Sequence, residues 1–267
     1  MEGHATTTFP LLQTAIKIDN LAATPDTVTL SGGASFNSTT QIKNIMSFSI
    51  PGLGITVTNS LLRARGFVYY CDATACLDSA SRSVDIDVND PPLTDLDWTA
   101  YGDWYLYGTP DAPATLASYV TGYRTPFAAV PTSGSASYRG VTVGRLLYPQ
   151  EGAFEGIGSY RLKGDAALQA NFGSRTVTGS LTNMRVEGVE PWNSVSLQGT
   201  ISATQNAFAG TTAASSAPSG TFALRGSATG SFNGLFFGPS AQELGAVWTL
   251  SDGTATAIGS FGAKSGP

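Results

Sequence analysis

The sequence "FALRGSATGSFNGLF", from Phe222 to Phe236, decides the fold. Its even-numbered residues are large side chains interleaved with Gly and Ala, and they share one face because successive side chains of a strand point to opposite sides. In a small closed barrel, such a mixture lets side chains fill the tapered interior. The stretch therefore predicts a barrel strand whose Phe222, Phe232 and Phe236 rings point inward.

Apolar residues recur at every second position on both sides of this stretch, and they nowhere repeat at helical spacing beyond about two turns. Gly, Asn, Ser and Pro separate the candidate strands. Eight strands with short connections after Gly134 predict an up-and-down meander that closes into an antiparallel β-barrel. The eight predicted strands cover 135–144, 156–164, 166–173, 175–184, 194–203, 220–234, 243–250 and 253–264.

The first half of the chain predicts a second, β-rich, handle-like domain, so the fold class is all-β with domains at 1–128 and 129–267. Pro113 and Pro126 lie within 110–131, which we interpret as the connection between the two domains. The predicted strands of this half cover 27–32, 42–50, 54–62, 65–71, 81–88 and 94–110.

Aromatic residues crowd the last of these strands. Trp98 and Trp104 share one face, whereas Tyr101, Tyr105 and Tyr107 share the other. The tyrosine face is either packed within the N-terminal domain or exposed as a contact surface, since aromatic anchors are enriched at interfaces. The three tyrosines, together with the nearby "CDATAC" loop, form the predicted ligand-binding patch.

Composition narrows the classes of function. Charged residues make up only 12% of the chain, and the net charge is -5 with Lys and Arg scattered singly, which argues against nucleic acid or an anionic membrane as a partner. No apolar run is long enough to cross a bilayer as a helix, so we expect no transmembrane segment. The residues after Met1 lack the basic and apolar regions of a signal peptide, and we expect that such a segment has been removed.

Catalytic chemistry lacks its usual residues. The one imidazole is His4, near the N-terminus, so no Ser-His-Asp or Cys-His arrangement can be assembled with confidence, and we predict that the chain is not an enzyme. The pair Asp85 and Asp87 suits a solvated strand face better than a calcium or glycosidase site. The same holds for Asp95 and Asp97.

Cys71 and Cys76, in "YYCDATACLD", are close enough for a local disulfide across a turn, which would indicate an oxidising compartment. Two free thiols are the alternative. A zinc site lacks the further ligands it needs, and we expect no bound metal. No cofactor is expected either, although haem stays open as a cargo because tyrosine can ligate ferric haem.

The segments "LFFGPSAQELGAVWTL" (235–250) and "AIGSFGAK" (257–264) carry a family pattern. They resemble the closing hairpin of the transferrin-binding-protein-like surface proteins of Gram-negative bacteria, and "VPTSGSASYRGVTVG" (130–144) resembles the first strand of the same barrel. The resemblance covers 130–267. The residues of the closing hairpin that match are Gly234, Phe236, Gly238, Pro239, Ala241, Glu243, Gly245, Phe261, Gly262, Ala263 and Lys264, with Ala246 in place of a second Gly.

These motif residues are interpreted as barrel architecture. Gly238 and Pro239 favour a turn, Gly245 allows backbones to approach closely, and the strand that ends at Lys264 can pair with the first barrel strand. Glu243, beside the closing strand, is interpreted as a structural hydrogen-bond acceptor. The motif therefore indicates a fold and does not locate a binding site.

Members of this family are surface lipoproteins or released proteins that capture transferrin, haem carriers or haem for an outer-membrane receptor. The resemblance implies a binding protein, extracellular or at the outer-membrane surface, that captures an iron or haem protein, haem or another solute for such a receptor. Any partner is expected on the N-terminal domain or the barrel's end loops. The alternative is a structural or adhesive surface module without a small-molecule cargo.

Overall fold

The computed structural model is all-β, as the sequence predicts. A three-residue 3-10 helix, Phe127–Ala129, precedes the strands of the second half. The described residues are 7–19, 22–25, 33–36, 45–50, 55–58, 84–88, 96–108, 114–153, 156–216 and 218–266.

The first half of the chain contains two antiparallel sheets. Its nine strands are β1 (Thr7–Pro10), β2 (Leu12–Asp19), β3 (Ala22–Pro25), β4 (Gly33–Phe36), β5 (Ile45–Ile50), β6 (Ile55–Thr58), β7 (Val84–Val88), β8 (Thr99–Leu106) and β9 (Ala114–Gly122). A four-stranded sheet has the order β1-β4-β5-β6, and a five-stranded sheet has the order β3-β2-β9-β8-β7. The five-stranded sheet is the one that meets the barrel.

Strand β9 corrects the prediction that 110–131 only connects two domains. It lies between β2 and β8 in the five-stranded sheet, and all of its residues are buried. Strands buried on both faces lose the alternation of apolar and polar residues that marks a half-exposed strand. Pro113 and Pro126 stand on either side of β9 and do not interrupt it.

Eight antiparallel strands of the second half form a closed barrel, as predicted. They are β10 (Ser135–Pro149), β11 (Ile157–Asn171), β12 (Thr176–Val186), β14 (Val195–Ile201), β15 (Phe208–Ala214), β16 (Thr229–Phe237), β17 (Glu243–Ser251) and β18 (Thr256–Ser265), with the two-residue β13 (Glu190–Pro191) beside β12. The order is β11-β10-β18-β17-β16-β15-β14-β12, and pairing of β11 with β12 closes the ring. Strand β18 pairs with the first barrel strand and sets Lys264 opposite Arg139, which confirms that prediction.

Large side chains in the barrel interior face glycines on neighbouring strands. A Cβ added at Gly199 would come within 2.7 Å of the Phe232 ring, and one added at Gly259 would come within 2.6 Å of the Trp248 ring. Phe232 and Phe236 point inward, as predicted, and are almost completely buried. As predicted, the interleaving of large and small residues in the sequence therefore corresponds to a barrel interior filled by side chains.

The predicted number of barrel strands is correct, but two predicted strands are one, and one strand was not predicted. The segments predicted as two strands at 156–164 and 166–173 form one continuous strand, β11. Gly164, which favoured a break, lies inside β11 and leaves room for the Met184 side chain on β12. Strand β15 consists mainly of Ala, Gly and Thr, and the sequence did not predict it.

The predicted strand at 220–234 also begins too early. Strand β16 starts at Thr229, and Phe222 lies in the preceding connection. Its half-buried ring packs against the barrel, 4.3 Å from the Tyr160 ring and 5.8 Å from the Tyr148 ring between centroids. The prediction that Phe222 points inward from a barrel strand is therefore wrong, because its ring packs against the barrel from a loop.

Candidate functional site

The five-stranded sheet packs against the outside of the barrel, on strands β10, β17 and β18. Two apolar clusters form this contact. One joins Tyr101 of β8 to Val247 of β17, and the other joins Leu116 of β9 to Ile258 of β18. Because both clusters bury apolar side chains between the sheet and the barrel, they favour a fixed arrangement of the two.

Polar groups lie between the two apolar clusters. Asp103 of the sheet and Arg145 of the barrel approach to 3.4 Å, and their side chains are largely shielded from solvent. The Ser260 hydroxyl donates to the Gly102 carbonyl at 3.0 Å. Since an unpaired buried charge is costly, the ion pair disfavours other positions of the sheet along the barrel.

Two motif glycines lie under the five-stranded sheet. A Cβ added at Gly262 would lie 2.6 Å from Leu96 Cδ1 and 2.6 Å from Tyr101 Cε1, and one added at Gly245 would meet the Val120 side chain. The sequence predicts that Gly245 lets backbones approach closely, whereas the atoms nearest to its added Cβ belong to the Val120 and Thr99 side chains. The partner that approaches is the N-terminal sheet, so these positions also serve to seat it.

The Gly262→Val variant is expected to lower the free energy of unfolding by about 1–3 kcal/mol, the usual cost of overpacking a filled region. Chemical denaturation measures this loss. Gly226→Ala is the matched control, because a Cβ at Gly226 meets nothing within 4 Å, and its effect is expected to stay below about 1 kcal/mol. Equal stability of the Gly262→Val variant and the wild type would contradict the packing described here.

Glu243 fastens the sheet to the barrel through its carboxylate. It is 1% exposed, and it accepts hydrogen bonds from the backbone N–H of Asp97 at 2.7 Å and of Trp98 at 3.0 Å. Burial raises the pKa of Glu243, while the two backbone N–H groups oppose this rise. The structure therefore bears out the interpretation of Glu243 as a structural acceptor, with donors that come from the N-terminal half.

The neighbouring turn follows the motif closely. Gly238 has a φ of 83° and Ala241 a φ of 60°, both in the left-handed region. The Thr125 hydroxyl donates to the Gly238 carbonyl at 2.7 Å, and the Tyr138 hydroxyl donates to the Ala241 carbonyl at 2.7 Å. The turn between β16 and β17 is thus tied to the segment that precedes the barrel and to the first barrel strand, with Pro239 exposed at its tip.

The tyrosine stripe of β8 runs along the contact between sheet and barrel. Tyr101 is completely buried, its hydroxyl donates to the Val141 carbonyl at 2.7 Å, and burial raises its pKa well above the ordinary value. Tyr105 is half-buried and packs among the second apolar cluster, and Tyr107 is 41% exposed. Of the three predicted site residues, Tyr105 and Tyr107 therefore reach the surface.

Tyr105 and Tyr107 lie at the same end of the molecule as the β10–β11 connection. Their ring centroids are 4.7 Å apart, and Tyr105 packs against the apolar cluster that includes Leu147 and Ile157, which lie near that connection. Tyr148, Tyr160 and Phe222 form a second ring cluster at this end of the barrel. We call the five rings together the aromatic end: Tyr105, Tyr107, Tyr148, Tyr160 and Phe222.

The connection between β15 and β16 is fixed across this end of the barrel. The buried Asn193 amide donates to the carbonyls of Ser216 at 2.7 Å and Leu224 at 3.0 Å, and its Oδ1 accepts from the Leu224 N–H at 2.7 Å. Trp192 Nε1 donates to the Phe222 carbonyl at 2.9 Å. Sequence reasoning missed Trp192 and Asn193, and the signal for them was a Pro-Trp-Asn turn between two strands.

The structure tests few of the remaining predictions. Cys71, Cys76 and His4 lie outside the described residues, so the disulfide stays a prediction. Met184 is buried in the barrel interior. Within the described part of the chain, no group of three His, Cys, Asp or Glu residues could hold a metal ion, and no helix is long and apolar enough to cross a membrane.

Solved structures of transferrin-binding proteins have the same fold. Intact Ap-TbpB, with its N and C lobes, aligns with a TM-score of 0.58 and 17% identity over 95% of this chain and 46% of its own. Transferrin Binding Protein B of Haemophilus parasuis Hp5, in a Trp-176-Ala mutant, aligns with a TM-score of 0.58 and 17% identity over 96% of this chain and 45% of its own. The protein from serogroup B Neisseria meningitidis aligns with a TM-score of 0.55 and 17% identity over 96% of this chain and 44% of its own. This chain thus spans about half the length of these proteins.

A search of curated proteins finds no match. Residues 130–265 match the family model described as the C-lobe and N-lobe beta barrels of Tf-binding protein B. The match covers more than half of the chain and coincides with the closed eight-stranded barrel. The chain therefore belongs to the family of transferrin-binding protein B lobe barrels.

Proposed function

We propose that this chain is a binding protein and not an enzyme, displayed on or released from the bacterial surface. It captures a ligand at the aromatic end and delivers it to an outer-membrane receptor. The observation that carries this proposal is the aromatic end itself, where rings of the N-terminal sheet and of the barrel lie at one end of the molecule. Membership of the family supports the general class of function.

The aromatic end has the physical properties of a docking surface. Tyr107 is 41% exposed, and Val189, in a loop at the same end, is 77% exposed. Exposed aromatic and apolar groups supply contact area at a low entropic cost when the loops that carry them are already ordered. Asn193 orders the β15–β16 connection, which carries Phe222, through its three hydrogen bonds.

The ligand that we propose is an iron-carrying protein. The solved structures named above are transferrin-binding proteins, and a protein ligand suits a surface that is spread over a sheet and several loops. A protein partner also agrees with the fully buried hydroxyl of Tyr101, which is committed to the Val141 carbonyl and is unavailable as an iron ligand.

Haem titrated into the protein is expected to give no saturable Soret band, because the aromatic end supplies no His as an axial ligand. Absorbance spectroscopy measures this directly. A saturable band of the tyrosinate type that disappears in the Tyr107→Phe variant would contradict the expectation and identify haem as the cargo.

Capture from the natural environment tests the proposed function. The immobilised chain is expected to retain one protein partner that mass spectrometry identifies, and the Tyr107→Ala/Val189→Asp double variant is expected to lose it. Both side chains are exposed, so the variant should fold normally. Thr204→Asp, in an exposed loop at the opposite end of the barrel, is the control and should retain the partner. Retention that is equal in all three proteins, or absent from the wild type, would refute the proposal.

A further inference from the structure

Three exposed arginines lie at the end of the barrel opposite the aromatic end. This end carries the β11–β12, β14–β15 and β16–β17 turns. Arg175 lies in the β11–β12 turn, Arg139 lies on the outer face of β10, and Arg124 lies in the segment before the barrel. Arg124 pairs with Phe237 at the end of β16, and Arg139 lies opposite Lys264 near the end of β18. The fold therefore brings together basic residues that are far apart in the sequence.

Acidic side chains do not balance these arginines at the surface. Among the described residues of this end, the acidic ones are Asp97, which is half-buried, and Glu243, which is buried and bonded to backbone N–H groups. Asp165 lies diagonal to Arg139, further along the barrel wall, and its carboxylate accepts from the Asn183 amide at 2.6 Å. The aromatic end, by contrast, carries exposed charges of both signs, at Glu151, Glu187, Arg185 and Arg225. Positive potential is thus gathered at one end of a chain whose net charge is -5.

Aromatic side chains lie at the same end as the arginines. Residues 126–128 are exposed, and the Phe127 side chain is 48% exposed. The half-buried rings of Phe9 and Trp98 pack on either side of the half-buried Tyr123 ring, with centroid distances of 4.4 Å and 5.7 Å. One exposed ring, three half-buried rings and three arginines therefore share this end of the molecule.

The segment that carries Phe127 is fixed to the barrel. The Thr125 N–H donates to the Phe236 carbonyl at 2.9 Å, and the Thr125 hydroxyl donates to the Gly238 carbonyl at 2.7 Å. The Asn206 amide donates to the Thr125 carbonyl at 2.7 Å. Since this backbone is already ordered, a contact made by the exposed ring costs little conformational entropy.

An anionic membrane surface matches this combination of groups. Arginine side chains are attracted to anionic lipid headgroups, and tyrosine and tryptophan are enriched where protein meets the interface between membrane and water. An exposed apolar ring can enter the boundary between headgroups and acyl chains at any point of the membrane. An acidic protein would attract the same arginines, but it would need a pocket in register with Phe127.

We propose that the basic end, which comprises Arg124, Arg139, Arg175 and Phe127, rests on an anionic membrane surface with the Phe127 ring between the headgroups. The scattered Lys and Arg positions in the sequence argued against such a partner, whereas the fold gathers three of them. Because the whole chain carries a net charge of -5, other orientations are repelled. The basic end therefore faces the membrane, and the aromatic end faces away from it and stays open to its ligand.

Flotation of the chain with lipid vesicles tests this proposal. The probes are vesicles of phosphatidylcholine alone and vesicles of phosphatidylcholine with phosphatidylglycerol. The wild type is expected to float with the anionic vesicles and not with the neutral ones. Binding is expected to be lost at about 1 M salt, where the Debye length falls to about 3 Å.

The Arg139→Gln/Arg175→Gln variant is expected to weaken vesicle binding by about tenfold or more. Arg124 is left in place because its guanidinium also donates to the Pro10 carbonyl at 3.1 Å. Phe127→Ser is expected to weaken binding by about fivefold, since the exposed ring no longer enters the headgroup layer.

The control Lys163→Gln/Arg225→Gln removes the same charge from exposed positions outside the basic end and should change binding by less than about twofold. Thermal unfolding checks the fold of each variant. The proposal is overturned if anionic vesicles bind the wild type no better than neutral ones, if the control weakens binding as much as the arginine variant, or if Phe127→Ser binds as well as the wild type. Binding of the wild type to polyglutamate and not to vesicles would also overturn it, in favour of an acidic protein as the occupant.

Discussion

The Trp248→Ala variant is expected to lose about 3–5 kcal/mol in its free energy of unfolding, which is the usual cost of removing a large buried ring. Trp248 is completely buried inside the barrel, lies over Gly259, and donates from Nε1 to the Thr142 hydroxyl at 2.9 Å. Its removal leaves a cavity between strands that cannot collapse without opening the barrel. Chemical denaturation, followed by near-ultraviolet circular dichroism, measures the loss.

Trp98→Ala provides the comparison for Trp248→Ala. Trp98 is half-buried at the edge of the five-stranded sheet, with its ring 5.7 Å from the Tyr123 ring. Its truncation is expected to cost only about 1–2 kcal/mol, because less apolar area is lost. Equal losses from the two variants would show that the barrel interior is not the close-packed core described here.

The Glu243→Ala variant is expected to lose about 3 kcal/mol, because it leaves the N–H groups of Asp97 and Trp98 without their acceptor at a buried position. Glu187→Ala is the matched control. Its carboxylate also accepts from a backbone N–H, that of Arg161, but at the exposed surface, so its loss is expected to be about 1 kcal/mol or less. Similar losses from both variants would contradict the role of Glu243 as the buried fastening of the sheet.

The pH dependence of Glu243→Gln tests the burial of this carboxyl group. Burial raises the pKa of Glu243 in the folded protein above its value in the unfolded chain. The folded protein therefore binds the proton of this carboxyl group more tightly than the unfolded chain does. The contribution of Glu243 is therefore fully present below the unfolded pKa and falls as pH rises through the folded pKa. The stability advantage of the wild type over Glu243→Gln is expected to grow as pH is lowered from neutral into this window. An advantage that shrinks on acidification would contradict the sign of this linkage.

The inward face of the barrel could be predicted from the sequence because its signal is local. Phe232, Gly234 and Phe236 alternate along one strand, and neighbouring strands repeat the pattern with rings opposite glycines. Phe222 was placed wrongly because a tertiary contact decides its position. Trp192 and Asn193 bind the backbone of the β15–β16 connection and hold it out of the strand, and alternation carries no information about such contacts.

The N-terminal sheet was harder to predict, since much of it is buried on both faces. Strand β9 carries no charged residue and is buried on both faces, and the prolines beside it favoured a connection. The tyrosine stripe was correctly assigned to one face, but what covers that face could not be read from β8 alone. The missing signal lay in the barrel, where Gly245 and Gly262 stand at outward positions that leave room for a neighbouring sheet.

Hydrogen exchange of the chain, with and without the partner retained in the capture experiment, tests most directly whether ligand binds at the aromatic end. Protection is expected in three places: around Tyr107, in the loop that carries Val189, and across the β15–β16 connection held by Asn193. Strands β14 and β15, on the barrel wall away from the five-stranded sheet, are expected to exchange at unchanged rates. Protection confined to these strands or to the opposite end of the barrel, with none at the aromatic end, would contradict the proposed site.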